Sequence, residues 1–145
     1  MRKDIQELIQ QNRICVLATV SGGEPHCSLM SYATDDDCRE IYMATSKDTK
    51  KYRNVTANPY VSLLVDSRQD LTADPAAPMK ALTIAGIFQK DVDEKKAADI
   101  RERLFGKNAD LRKAFDDPET AMIVVKICAV QLLDGLTDAY FESIS

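Results

Sequence analysis

Two β-prone runs, ICVLATV (14–20) and PHCSLMSYA (25–33), are separated by Ser-Gly-Gly-Glu, and this stretch constrains the chain more than any other. Glycine reaches positive φ without steric cost, and Gly-Gly between β-prone runs is a hairpin signal. A two-residue loop at Gly22-Gly23 sets Ala18 opposite Cys27 and Thr19 opposite His26. One face then carries Val16, Ala18, Val20, Cys27 and Leu29, which are small and apolar and read as the core side. The other carries Thr19, His26, Ser28, Met30 and Tyr32, a surface suited to a polar and aromatic ligand. A slip of one residue exchanges the faces. Pro25 belongs at a strand start or on an edge, because it has no N–H for the ladder.

Further strand signals follow: IYMAT, YVSLLVD (60–66), KALTIAGIFQKDV (80–92) and the β-branched AMIVVKICAVQLLDG, read as one bent strand or two. Gly86 marks a bulge or a close backbone approach. Helical patterns are few. Ile5, Leu8 and Ile9 give residues 3–12 an amphipathic stripe. A helix from Ser46 to about Ala57 stops before Pro59. Asp93 caps a helix that Gly106 ends, and Asn108 opens a second piece running to Phe115. The loop SRQDLTADPAAPM is long for a connector, which suggests a role or mobility. Six or so strands with peripheral helices point to a mainly β fold, a small, mostly antiparallel barrel. With 145 residues and no linker or repeat, residues 1–145 read as one domain.

The net charge of −4 is spread without a basic stripe, which argues against nucleic acid or an anionic membrane surface as partner. No apolar run approaches the ~20 residues that span a bilayer. The charged N-terminal segment has no signal-peptide core, so a cytoplasmic location is expected. Four cysteines without CxxC spacing and one histidine make a zinc cluster improbable. The cysteines read as small buried residues in a reducing compartment, with Cys38 the more exposed. Asp35-Asp36-Asp37 reads as a solvated turn, since EF-hand spacing is missing. No GxGxxG, GxxxxGK[ST] or GxSxG occurs, which removes the sequence support for Rossmann, P-loop and α/β-hydrolase readings.

The segment IYMATSKDTKK (41–51) raises the chemical question: an apolar strand breaks into Ala44-Thr45-Ser46 and then delivers Thr49, Lys50 and Lys51. Ser46 is a good N-cap, and the first N–H groups of a helix are unpaired and carry partial positive charge. Hydroxyls and lysines beside them suit a phosphate monoester. A Ser-capped helix with solvated lysines is the plainer alternative, although first-turn lysines oppose the helix dipole. His26 is either structural or a donor to a ligand.

The ordered set L-A-T, Gly turn, P-H-x-S, acidic turn, I-Y-x-x-T-S, K-K and N-P-x-V-S-L resembles the pyridoxamine 5′-phosphate oxidase-like, FMN-binding split-barrel family. The resemblance covers roughly residues 14–105 and is weaker in the closing strands. It implies a six-stranded antiparallel split β-barrel that forms a homodimer, with FMN at the subunit interface. Carried onto this sequence, Thr49, Lys50 and Lys51 would meet the ribityl phosphate. Thr45, Ser46 and the Ala44 backbone would meet the phosphate end or the isoalloxazine edge, and His26, Cys27, Ser28 and Leu29 would line the ring. After Lys113 the only basic residue is Lys126, with no Arg or His. The basic residues with which true pyridoxamine 5′-phosphate oxidases hold their substrate are therefore missing, and so is the axial histidine of the haem-degrading branch. The resemblance thus implies a flavoprotein: an FMN-dependent oxidoreductase of unknown substrate, a non-enzymatic flavin binder for storage, electron transfer or redox sensing, or a deazaflavin-dependent relative.

Overall fold

A computed structural model describes residues 1–68 and 74–145. The hairpin forms as its turn dictates. Strand β1 (Ile14–Ser21) pairs with β2 (Glu24–Ser31) through Ala18 opposite Cys27 and Thr19 opposite His26. Gly22 and Gly23 have φ of +58° and +79°, the combination a type I′ turn requires. A single residue, Tyr32, then separates β2 from β3 (Ala33–Thr34), which pairs with β4 (Glu40–Ser46).

The rest of the chain is α1 (Lys3–Gln11), α2 (Lys50–Ala57), β5 (Tyr60–Asp66), β6 (Lys80–Phe88), α3 (Glu94–Lys107), α4 (Asp110–Ala114), β7 (Thr120–Asp134) and β8 (Asp138–Ser143). Among the described residues the strands form one antiparallel sheet in the order β2-β1-β5-β6-β7-β4-β3, with β8 also on β7. Strands β2 and β3 lie at opposite ends of that order yet are one residue apart in the chain. The sheet must therefore curl back on itself, and Tyr32 marks the seam. Tyr32 is fully buried and its hydroxyl donates to the Ile9 carbonyl of α1. The mainly β barrel is thus as expected, with eight strand segments where six are implied. The difference lies in the two-residue β3 and in β8.

The long strand β7 reaches two partners on one edge. Its first half pairs with β4 up to Lys126, and its second half pairs with β8 from Ala129. Cys128 is the extra residue between them: opposite it on β6, the register steps from Ala85–Ala129 to Gly86–Ile127. A bulge of this kind bends the strand and strengthens the local twist. Gly86 also permits a close approach, because a Cβ there would overlap the Val125 side chain and lie 3.0 Å from the Lys126 carbonyl.

The barrel interior is filled by Leu17, Ile41, Met43, Leu63, Leu82, Ile84 and Ile123, closed at one end by Ile5 and Ile9 of α1. Strand β4 is covered on its other face too, by Ile100, Leu104 and Phe105 of α3 against Tyr42 and Ala44. That explains why residues 41–45 are buried without alternation.

Several expectations need correction. The faces of the β1–β2 hairpin are exchanged: Cys15, Leu17, Thr19, Met30 and Tyr32 point inward, whereas Leu29 is 72% exposed and Cys27 is exposed. The register is right, but the small apolar set did not take the core side. The bulky Leu17, Met30 and Tyr32 fill the barrel, and Thr19 is admitted because it finds a hydrogen-bond partner. Cys38 is fully buried, since the chain turns with a φ of +57° there and directs the thiol into the core. Strand β6 stops at Phe88, four residues short of the expected end. Gly106 lies within α3, which runs to Lys107 and ends at Asn108, where the N–H donates to Leu104 O at 2.9 Å. The long loop after β5 falls partly, at 69–73, outside the described residues.

Candidate functional site

The sheet's two ends make an open wedge. The Ala33–Tyr42 pairing of β3 with β4, carried back along the chain, would set Leu29 opposite Ser46. Instead Leu29 pairs with Val16 of β1, and β2 has no partner along its other edge among the described residues. The strands therefore part on the β2 side of Tyr32. The N–H and C=O groups along that edge are left unpaired among the described residues, and the end of β4 is what the extended register would have set beside them.

The start of α2 differs from the sequence expectation. Ser46 is the last residue of β4, paired with Thr120 of β7, and residues 47–49 turn before the helix begins at Lys50. The N-cap is Thr49, not Ser46. Thr49 is extended (φ −124°, ψ 153°), and its Oγ1 accepts from the Tyr52 N–H at 3.3 Å. The same hydroxyl donates to Ser46 O at 2.9 Å and lies 3.1 Å from Thr45 Oγ1. One hydroxyl has one proton, so Thr45 is the donor in that last contact. The Thr49 hydroxyl is thereby saturated. Ser46 Oγ accepts from the Asp48 N–H at 3.3 Å, and among the described residues its own proton has no acceptor.

What remains unspent at the helix start is cationic. Among the described residues, nothing accepts from the N–H groups of Thr49, Lys50 or Lys51, and neither lysine ammonium has a carboxylate within 4.0 Å. The nearest acid in sequence, Asp48, is paired with Arg53 at 3.2 Å. Helix α2 thus presents donors, two ammonium groups and the positive end of its dipole in one place, the arrangement that binds an oxyanion.

The ten residues singled out in the sequence fall into three groups. Thr49, Lys50, Lys51 and Ser46 gather at the start of α2. Thr45 is 2% exposed and serves Thr49, while the Ala44 side chain is packed beneath α3. On β2 the four ring candidates alternate. His26 and Ser28 share the inward side, with Ser28 Oγ 3.3 Å from His26 Nε2, and Cys27 and Leu29 point out. Their four side chains do not face one plane, and the strand's free main-chain edge is what they have in common.

The match to known families agrees with this architecture. Residues 1–134 match the pyridoxamine 5′-phosphate oxidase family. The chain belongs to that family. A pyridoxamine 5′-phosphate oxidase homologue of Schizosaccharomyces pombe is 31% identical over 87 residues, 50% of this chain and 45% of the yeast protein. The fold is shared with a heme binding protein from Mycobacterium smegmatis (TM-score 0.81, 18% identity, 99% of this chain and 59% of that one). It is shared also with a FAD-binding protein from Mesorhizobium loti (TM-score 0.72, 20% identity, 89% of each chain). This chain therefore spans about half the length of the yeast relative and about three-fifths of the mycobacterial one.

One part of the site escapes a reading of the sequence. Asn54 of α2 and Thr19 of β1 are both buried, and Asn54 Nδ2 donates to Thr19 Oγ1 at 3.0 Å. A signal was present, because asparagine is a poor residue for a helix interior unless its amide is employed. Among the described residues no group of His, Cys, Asp and Glu is arranged to hold a metal ion, and no helix is long and apolar enough to cross a membrane.

Proposed function

We propose that this chain binds FMN at the interface of a homodimer, with the flavin phosphate on the start of α2, and uses it as an oxidoreductase. The carrying observation is the unspent cationic set at Thr49, Lys50 and Lys51. Lysine is a compact point charge and suits a terminal phosphate, which needs no fork geometry. Ser46 adds a hydroxyl donor at the end of β4, with Thr45 holding Thr49 in its capping position. The free edge of β2 offers alternating N–H and C=O groups to the hydrogen-bonding rim of a flavin ring. Its outward face, with Leu29, Cys27 and the half-buried Val16 and Ala18, is apolar and suits coverage by a second copy. Family membership and fold neighbours described as FAD-binding and heme binding support a planar cofactor at this barrel. Bound flavin supplies the redox chemistry by taking up electrons or hydride, and the protein's part is to bind and orient it. We place the protein in the cytoplasm, where its free thiols stay reduced.

A second reading, a flavin carrier or sensor without turnover, is favoured by the side chains at the wedge. Ser28, Leu29, Thr45 and Ser46 offer no acid or base, and His26 is engaged with Ser28. A deazaflavin carries the same phosphate chemistry and would use the same helix start. Parallel titrations with FMN, riboflavin and a phosphate-bearing deazaflavin, in wild type and in Lys50→Ala/Lys51→Ala, test the site. The double variant should lose FMN affinity by roughly tenfold per lysine and leave riboflavin binding unchanged. A protein that is colourless when purified and takes up none of these ligands would overturn the reading. Turnover of reduced nicotinamide by the loaded protein separates enzyme from carrier. A solution mass near 16.2 kDa at micromolar concentration would exclude the interface site.

A further inference from the structure

Four buried side chains are polar among the described residues, Thr19, Thr45, Asn54 and Asn108, and three of them serve one short helix. Thr45 donates to Thr49 at the N-cap of α2, and Thr19 accepts from Asn54 within it. The apolar hold on α2 is slight: Val55 is its fully buried aliphatic side chain, and Tyr52 is half-buried. An aliphatic pair would serve stability at least as well as Asn54 and Thr19, because a buried amide costs free energy unless it is bonded. What hydrogen bonds add is direction. Apolar contact tolerates sliding, whereas an N–H···O bond fixes both distance and angle.

The two bonds fix a particular relation. Asn54 follows Lys50 by four residues and Lys51 by three, so it anchors the helix face that carries the lysines. Thr19 stands opposite His26 in the hairpin, so its position fixes that of β2. The Asn54–Thr19 bond therefore ties the cationic helix start to the strand whose free edge borders the wedge.

We infer that Asn54 and Thr19 are positioning residues that set the separation between the phosphate end and the ring end of the site, and so make a phosphate-bearing flavin the preferred ligand over riboflavin. The inference rests on the flavin reading above and assigns neither residue any contact with the ligand.

The test is Asn54→Leu/Thr19→Val, which replaces the bonded pair with an apolar pair of the same branching, beside Thr19→Ser, which keeps the hydroxyl. Dissociation constants for FMN and riboflavin are measured on each full-length protein, with the thermal midpoint of the unliganded form. The double variant should weaken FMN about tenfold, keep riboflavin within about twofold, and unfold near the wild-type midpoint. Thr19→Ser should keep wild-type discrimination. Parallel weakening of both flavins would mean a merely structural pair, and unchanged FMN affinity would mean no role; either overturns the inference while the flavin reading stands. A wild type that binds neither flavin overturns both. If the double variant does not fold, Thr19→Val against Thr19→Ser carries the same comparison.

Discussion

Gly86→Ala puts a methyl group where β6 passes close to β7. The new Cβ would overlap the Val125 side chain and sit 3.0 Å from the Lys126 carbonyl oxygen. Val125 is fully buried and the carbonyl belongs to the ladder, where Lys126 stands opposite Ile87, so neither obstacle moves without disturbing core or sheet. Overpacking of this kind costs about 1–3 kcal/mol, and a backbone obstacle argues for the upper end. Val125→Ala alone removes two buried methyl groups and leaves a void, costing about 2–3 kcal/mol. In the double variant the alanine methyl enters the space that Val125 gives up. The combined loss should then be smaller than the sum of the two by about 1 kcal/mol or more. Urea unfolding of the four proteins measures this, provided the m-values agree. Additivity within about 0.5 kcal/mol would show that the two side chains do not compete for one space, and a costless Gly86→Ala would show that the bulge relaxes freely.

Lys107 reaches back from the end of α3 to donate to Gln10 O (3.2 Å) and Asn12 O (2.6 Å) at the end of α1. Lys107→Met should therefore destabilise by about 1–3 kcal/mol in urea, and a change near zero would show that water replaces the ammonium. Thr49→Ala removes the cap and the acceptor for Thr45, and should cost about 1 kcal/mol or more by the same assay, while Ser46→Ala should cost less; the reverse order would restore Ser46 as the cap. Within the chain, Cys15 and Cys38 should react with a thiol reagent only on unfolding and half-buried Cys128 in the native protein, while Cys27 should react fast only when no second copy covers β2; equal native rates for Cys15, Cys38 and Cys128 would contradict the burial. Burial pushes the Cys15 thiol from an ordinary value of 9.0 up to about 12, and the Cys38 thiol up to about 11. The folded chain keeps protons that the unfolded chain releases, so this contribution is intact below pH 9.0 and declines towards about pH 12. Thermal midpoints across that range should fall less steeply in Cys15→Ala, and an identical slope would discount the thiol.

The sequence by itself determined the hairpin, its register and the family of the fold. Gly22-Gly23 admits few turns, so the pairing of Thr19 with His26 followed from local backbone sterics. Asp93 capped α3 for the same kind of reason, with the Lys96 N–H 2.8 Å from its carboxylate. The cationic cluster at Lys50 and Lys51 was legible because charge and spacing are written along the chain. Tertiary structure alone decided which hairpin face turned inward, because that depends on what Leu17, Met30 and Tyr32 meet across the barrel. It decided that Cys38 is buried and Cys27 is not, and that Thr49 rather than Ser46 caps α2, since β7 extends the pairing of β4 to Ser46. The Asn54–Thr19 bond joins residues 35 positions apart, and the open edge of β2 exists because the sheet curls and fails to close. Short-range sterics and charge are properties of a segment, whereas inside and outside are properties of the whole packed chain.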